Sequence, residues 1–89
     1  MKILKALGIV EVKSMIGAIQ AADTMLKSAD VDLVDINLVG SGIVAAIVKG
    51  DVAAVNAAVE NGEESASKIA EIISTNVIAR PHDEVSKIL

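Results

Sequence analysis

The stretch VGSGIVAAIVKGDVAAV, residues 39–55, contains a turn, a buried strand and the start of a helix. The two glycines within residues 40–42 supply the backbone freedom that a tight turn requires. Residues 43–48 (IVAAIV) form an apolar run without a charge, which is typical of a strand covered on both faces. Asp51 follows Gly50 and is a residue type preferred at helix N-caps. The stretch therefore predicts turn, strand and helix in that order.

The residues before the turn alternate between apolar and polar with a period of two. Val34, Ile36 and Leu38 would point one way, whereas Asp35 and Asn37 would point the other. This alternation predicts a half-buried strand. Two strands joined by a short glycine-rich turn predict an antiparallel hairpin.

The second helix is expected to pack through regularly spaced valines. They are Val52, Val55 and Val59. Gly62 is expected to weaken this helix, which should end near Lys68. Residues 72–79 read as a last strand, and residues 80–82 (RPH) are expected to break it because proline has no N–H to donate. Residues 83–89 are expected to form a short terminal helix.

The N-terminal half predicts a strand followed by a helix. Residues 6–12 (ALGIVEV) are apolar and partly β-branched, as in a buried strand. Ser14 can cap the helix that follows. The positions expected to face the core are Met15, Ala18, Ile19, Ala22 and Leu26. The positions expected to face solvent are Gln20, Asp23, Thr24 and Lys27.

The order of elements is β-α-β-β-α-β, which predicts a split βαβ, ferredoxin-like arrangement. The expected fold is α+β (an α/β sandwich), with both main helices on one face of an antiparallel sheet and a short C-terminal helix. No linker, repeat or low-complexity segment interrupts residues 1–89, so we expect a single domain.

Composition restricts the class of function. Hydrophobic residues make up 53% of only 89 residues, which is more than one modest core can bury, so we expect contact with other subunits. The longest uncharged stretch, residues 36–48, is shorter than the roughly 18–20 residues of a membrane span. With no signal peptide recognised, we expect a cytoplasmic protein without a membrane partner.

Residue types that carry common chemistries are absent or rare. There is no aromatic residue, and the net charge is -4 with scattered basic residues, which argues against nucleic-acid binding. A single histidine and no cysteine argue against a transition-metal site. Ser41 lacks the pattern of a nucleophile elbow, because Val39 stands where the first glycine belongs. We therefore expect no catalytic residue, no metal and no cofactor.

Two other classes of protein share the same order of elements. Small regulatory modules with this fold form dimers or trimers and bind a ligand at the interface, and fold alone does not fix function. An acylphosphatase-like enzyme would need an arginine in a phosphate-binding loop, whereas Arg80, the one arginine, follows the last predicted strand.

Four segments together resemble the bacterial microcompartment shell protein family, in its single-domain, hexamer-forming type. They are ALGIVEVKS (6–14), AIQAADTMLKSADV (18–31), VGSGIVAAIVKGDVAAV (39–55) and VIARPHDEVSKIL (77–89). The resemblance implies a homohexameric tile that meets other tiles edge to edge in a shell around enzymes. It implies other shell proteins, the enclosed enzymes or their targeting peptides as partners, in a cytoplasmic compartment.

The same resemblance implies a pore on the six-fold axis. In the family, the loop that corresponds to Val39, Gly40, Ser41 and Gly42 lines this pore and would admit small polar metabolites. A lysine is common in relatives just before the loop, where this chain has Leu38. We therefore expect a pore less attractive to anions than in lysine-bearing relatives.

The resemblance also assigns residues to the edge between hexamers. Lys27 matches a lysine that lies against its symmetry mate, and Arg80 matches an arginine that reaches a neighbouring hexamer. Asp30 replaces a common asparagine and could add an ion pair or remove a hydrogen bond there. His82 follows in the same segment and is assigned to the edge with them.

Overall fold

The computed structural model describes residues 4–81, which form four strands and two helices. In chain order they are β1 (Leu4–Val12), α1 (Met15–Ser28), β2 (Asp32–Gly40), β3 (Ile43–Asp51), α2 (Val52–Ser67) and β4 (Ile72–Pro81). The predicted β-α-β-β-α-β order is confirmed. The helix predicted over residues 83–89 and the edge residue His82 lie outside the described residues.

The four strands form one antiparallel sheet in the order β2-β3-β1-β4. Strands β2 and β3 pair directly, with Leu38 opposite Val44, so the predicted hairpin is confirmed. Strand β3 lies between β2 and β1, which makes β1-α1-β2 a split βαβ unit.

The core lies between one face of the sheet and both helices. Val10 in β1 lies opposite Ala46 in β3, so their side chains share this face. The sheet contributes Ala6, Val10, Val12, Val44, Ala46 and Val48 to the buried cluster. The helices contribute Ala18, Ala21, Ala22, Met25, Val55, Ala58, Val59 and Ala66. The prediction that both helices cover one face is therefore confirmed, and the core is made mostly of small side chains.

Helix α1 buries mostly small residues and exposes its large apolar residues other than Met25. The buried residues are Gly17, Ala18, Ala21, Ala22 and Met25. Of the predicted core positions, Ala18 and Ala22 are confirmed, whereas Met15, Ile19 and Leu26 are exposed. Close approach requires mostly short side chains at the contact, so the larger apolar residues other than Met25 lie on the outer surface.

Two residues predicted to face solvent instead join the two helices. Gln20 Nε2 and Thr24 Oγ1 donate hydrogen bonds to Ser65 Oγ of α2, at 2.7 and 2.9 Å. Both side chains are half-buried.

Helix α2 passes Gly62 without a break and ends at Ser67, next to the predicted Lys68.

The two predicted helix caps differ in how they act. Ser14 Oγ accepts a hydrogen bond from the Gly17 backbone N–H at 3.0 Å, which confirms the first cap. Asp51 occupies the N-cap position of α2 but makes no side-chain cap bond. Its carboxylate accepts instead from Lys5 Nζ at 3.0 Å, because Lys5 lies opposite Asp51 in the β1–β3 register.

The strand break predicted at residues 80–82 is wrong for the two residues described. Strand β4 continues through Arg80 to Pro81, which lies opposite Leu4. Because β4 is an edge strand, it tolerates a residue without an N–H.

Neither helix within residues 4–81 has the length and hydropathy needed to cross a membrane.

Candidate functional site

The turn between β2 and β3 has the backbone of a tight hairpin. Gly40 ends β2 and Ile43 begins β3, so Ser41 and Gly42 form a two-residue turn. Their φ angles are 55° and 80°, and positive φ at both positions is what a type I′ turn requires. Gly40 has a φ of 132°, which side-chain-bearing residues rarely adopt. The residues of the turn are exposed, so it projects from the end of the sheet.

Replacing Gly40 with alanine is expected to lower the free energy of unfolding by about 1–3 kcal/mol, through backbone strain. An added Cβ would have no atom within 4 Å, so steric overlap cannot contribute. Urea denaturation followed by far-ultraviolet circular dichroism, at one protein concentration, measures the change. Ser41→Asn is the control and should be nearly neutral, because asparagine tolerates a φ of 55°. Equal midpoints for Gly40→Ala and the unmodified chain would contradict the assigned backbone.

Exposed large apolar residues gather at the same end of the sheet as the turn. Val12 at the end of β1 lies opposite both Val44 and Ile72, so helix α1 starts, helix α2 ends and strand β4 starts near the turn. We call the exposed apolar residues there the loop-end surface: Met15, Ile16, Leu38, Val39, Ile69 and Ile73. Ile16 is 68% exposed and Leu38 is 69% exposed, although Leu38 lies on the strand predicted to be half-buried. Such a concentration of apolar side chains is typical of a contact surface.

The described edge candidates lie at the opposite end of the sheet. Lys27 is in the last turn of α1, Asp30 lies two residues before the start of β2, and Arg80 lies opposite Lys5 near the start of β1. All three are exposed. The structure thus separates the predicted pore residues from the described edge residues along the length of the sheet.

Among residues 4–81, the charged groups of Lys27 and Arg80 make local contacts. Lys27 Nζ lies 3.1 Å from an Asp23 carboxylate oxygen, one helical turn away. Arg80 Nη1 donates to the carbonyl oxygen of Ala79 at 3.0 Å. Both contacts are exposed, and ion pairs of this kind contribute little to stability.

Polar groups elsewhere in residues 4–81 form isolated structural contacts. Ser74 Oγ donates to Glu11 Oε1, linking β4 to β1. No group of three histidine, cysteine or acidic residues in the described part of the chain could hold a metal ion.

Sequence reasoning missed one residue beside the turn, Lys13. Its side chain lies next to Gly42. A lysine directly after a strand reads as a solvated charge, and only the pairing of β1 with β3 brings the end of β1 to the turn. The exposed Ile69 and Ile73 were missed for a similar reason, because an apolar side chain near a strand is normally assigned to the core.

The chain matches known proteins along nearly its whole length. Residues 6–81 match the model of the BMC domain. The chain is 51% identical over 85 residues to the bacterial microcompartment shell protein PduA of Salmonella typhimurium, an alignment that covers 96% of this chain and 90% of the relative. It is 40% identical over 85 residues to the shell protein EutM of Escherichia coli K12, covering 96% and 88%.

A carboxysome shell protein and a solved structure give the same result. The carboxysome shell protein CsoS1A of Hydrogenovibrio crunogenus is 42% identical over 85 residues, covering 94% of this chain and 88% of the relative. A crystal structure of a microcompartment protein from Desulfitobacterium hafniense superimposes with a TM-score of 0.76 at 36% identity, over 83% of this chain and 40% of that longer chain. The chain therefore belongs to the BMC domain family.

Proposed function

We propose that this chain is a structural protein of a bacterial microcompartment shell, which assembles into a homohexameric tile and then into a layer. The observation that carries the proposal is the loop-end surface, an apolar surface beside a projecting hairpin turn, in a chain 51% identical to a shell protein. Six copies arranged head to tail close into a ring and bury such surfaces. The exposed Ile19 and Leu26 of α1 add apolar area for these contacts.

The proposed pore is rimmed by six copies of Val39, Gly40, Ser41 and Gly42. The absence of side chains at the two glycines lets six backbones approach one axis. Ser41 then presents six hydroxyl groups, which together with backbone N–H groups can pass small polar metabolites. The proposed location is the cytoplasm, with other shell proteins and enclosed enzymes or their targeting peptides as partners.

Sedimentation velocity with interference optics tests the ring, because the chain has no aromatic residue for detection at 280 nm. We expect a particle of six times the chain mass of 9.1 kDa. Negative-stain images should then contain flat sheets or rolled tubes. A monomer would overturn the proposal, and a dimer or trimer would favour a ligand-binding module.

The proposed edge between tiles consists of Lys27, Asp30, Arg80 and His82. Lys27→Glu is expected to abolish extended layers and to leave the hexamer intact, because the substitution changes the rim at every two-fold contact. Lys27→Glu should lower the free energy of unfolding of one copy by only about 0.5 kcal/mol, through repulsion between the new carboxylate and Asp23 one helical turn away. Light scattering measures layer growth, and sedimentation measures the hexamer.

Asp23→Asn is the matched control for this substitution. It breaks the same internal ion pair and leaves Lys27 in place, so layers should persist. If Asp23→Asn removed the layers as completely as Lys27→Glu, the internal pair rather than a rim contact would be responsible.

A further inference from the structure

Lys13 lies beside the turn that the proposed pore requires. It follows β1 directly, and its backbone N–H donates to the Glu71 carbonyl oxygen at 3.0 Å, which fixes the start of its side chain. A Cβ placed on Gly42 would lie 3.9 Å from Lys13 Cγ and 4.0 Å from Lys13 Cε. Since Nζ is one bond beyond Cε, the ammonium lies within about 5.5 Å of that position. The aliphatic part of the side chain thus packs along the turn.

The charge of Lys13 is not neutralised within the described part of one copy. The ion pairs within residues 4–81 join Lys5 to Asp51 and Lys27 to Asp23, so Lys13 has no carboxylate within 4.0 Å among these residues. Helix α1 begins two residues later and has no acidic side chain in its first turn. Its N-terminus adds partial positive charge near Lys13.

We infer that Lys13 makes the mouth of the pore a binding site for small anions. The inference rests on the proposed hexamer, in which six Lys13 ammonium groups would surround the turns on the axis. A ring of like charges raises the local concentration of opposite ions. Leu38 supplies no charge beside the turn, so Lys13 is the cation that gives this pore its preference for anions. Small carboxylates and phosphate are the chemical class that the site would attract.

Crystals of the assembled protein soaked in increasing sodium bromide test the inference, because bromide is detected by its anomalous scattering. We expect bromide beside Lys13 Nζ and the backbone N–H groups of the turn. In Lys13→Gln, about tenfold more bromide should be needed for equal occupancy, since a charge-assisted contact is lost. Leu38→Lys should increase the occupancy.

Lys49→Gln is the matched control, with the same change of charge. Lys49 lies on β3, opposite Leu7 and Asp32, seven residues and roughly 20 Å from Gly42. The bromide occupancy at the turn in Lys49→Gln should equal that of the unmodified protein. Two results would overturn the inference and leave the proposed function standing. One is a hexameric ring with no bromide at the turn, and the other is equal bromide occupancy in Lys13→Gln and the unmodified protein. Crystals without a six-membered ring would overturn both.

Discussion

Replacing Gly8 with alanine is expected to lower the free energy of unfolding by about 1–3 kcal/mol, the usual cost of overfilling a core. A Cβ on Gly8 would lie 2.6 Å from Val59 Cγ2, 2.7 Å from Val55 Cγ1 and 3.2 Å from Val48 Cγ2. Favourable contacts between carbon atoms need about 3.5–4.0 Å. The helical valines cannot rotate away, because one χ1 rotamer dominates for valine in a helix.

The sheet cannot move away from the added methyl group either. Gly8 pairs with Val48 on one side and with Val77 on the other, so it sits in the middle of the sheet. Helix α2 would therefore have to lift from the sheet, and contacts along the whole helix would weaken. Urea denaturation at constant protein concentration, followed by circular dichroism, measures the loss.

A double-mutant cycle with Val59→Ala separates this overlap from other effects of adding a methyl group. Val59→Ala removes the atom nearest to the added methyl group. In the Val59→Ala protein, Gly8→Ala should therefore lower the free energy of unfolding by about 1 kcal/mol less than it does in the unmodified protein. The gain in strand propensity from alanine is the same in both backgrounds and cancels. Additive effects of the two substitutions would show that Val59 does not limit the space beside Gly8.

The fold could be predicted because its local signals agree with its tertiary contacts. The apolar run in β3, the glycine-rich turn and the Ser14 cap each specify a local structure that the fold retains. Two features depend on distant partners and could not be predicted. Pro81 extends β4 because β4 is at the sheet edge, and Asp51 pairs with Lys5, which is 46 residues away.

The turn at the candidate site could be predicted from the sequence, but the apolar surface beside it could not. The spacing around Ser41 identifies a turn, and the structure confirms its tight backbone. Periodicity places Met15 and Ile19 in a core, because it detects an apolar face and cannot tell whether the chain itself covers that face. In α1 the buried face is instead defined by alanines, whose low bulk carries little hydrophobic signal.

Replacing Val39 with aspartate is expected to dissociate the proposed ring into folded single copies at low salt. Val39 is 53% exposed in one copy, so the substitution should leave the circular dichroism spectrum unchanged. In the ring, six carboxylates would surround the axis. Two charges about 10 Å apart repel by about 1–2 kcal/mol at an effective dielectric constant of 20. Summed over neighbouring pairs, this repulsion reaches several kcal/mol.

Val39→Asn is the matched control, because it has nearly the same shape and no charge. The sedimentation coefficient of Val39→Asn should remain that of the hexamer. In 1 M salt, Val39→Asp should partly recover the hexamer, because charges at that ionic strength are screened beyond about 3 Å. If Val39→Asp stayed hexameric at low salt, Val39 would lie far from any axis. If Val39→Asn dissociated equally and salt had no effect, an apolar contact rather than proximity to the axis would explain the result. Charge-specific, salt-reversible dissociation is the behaviour that a pore-lining position requires, because only an axis brings six copies of one residue together.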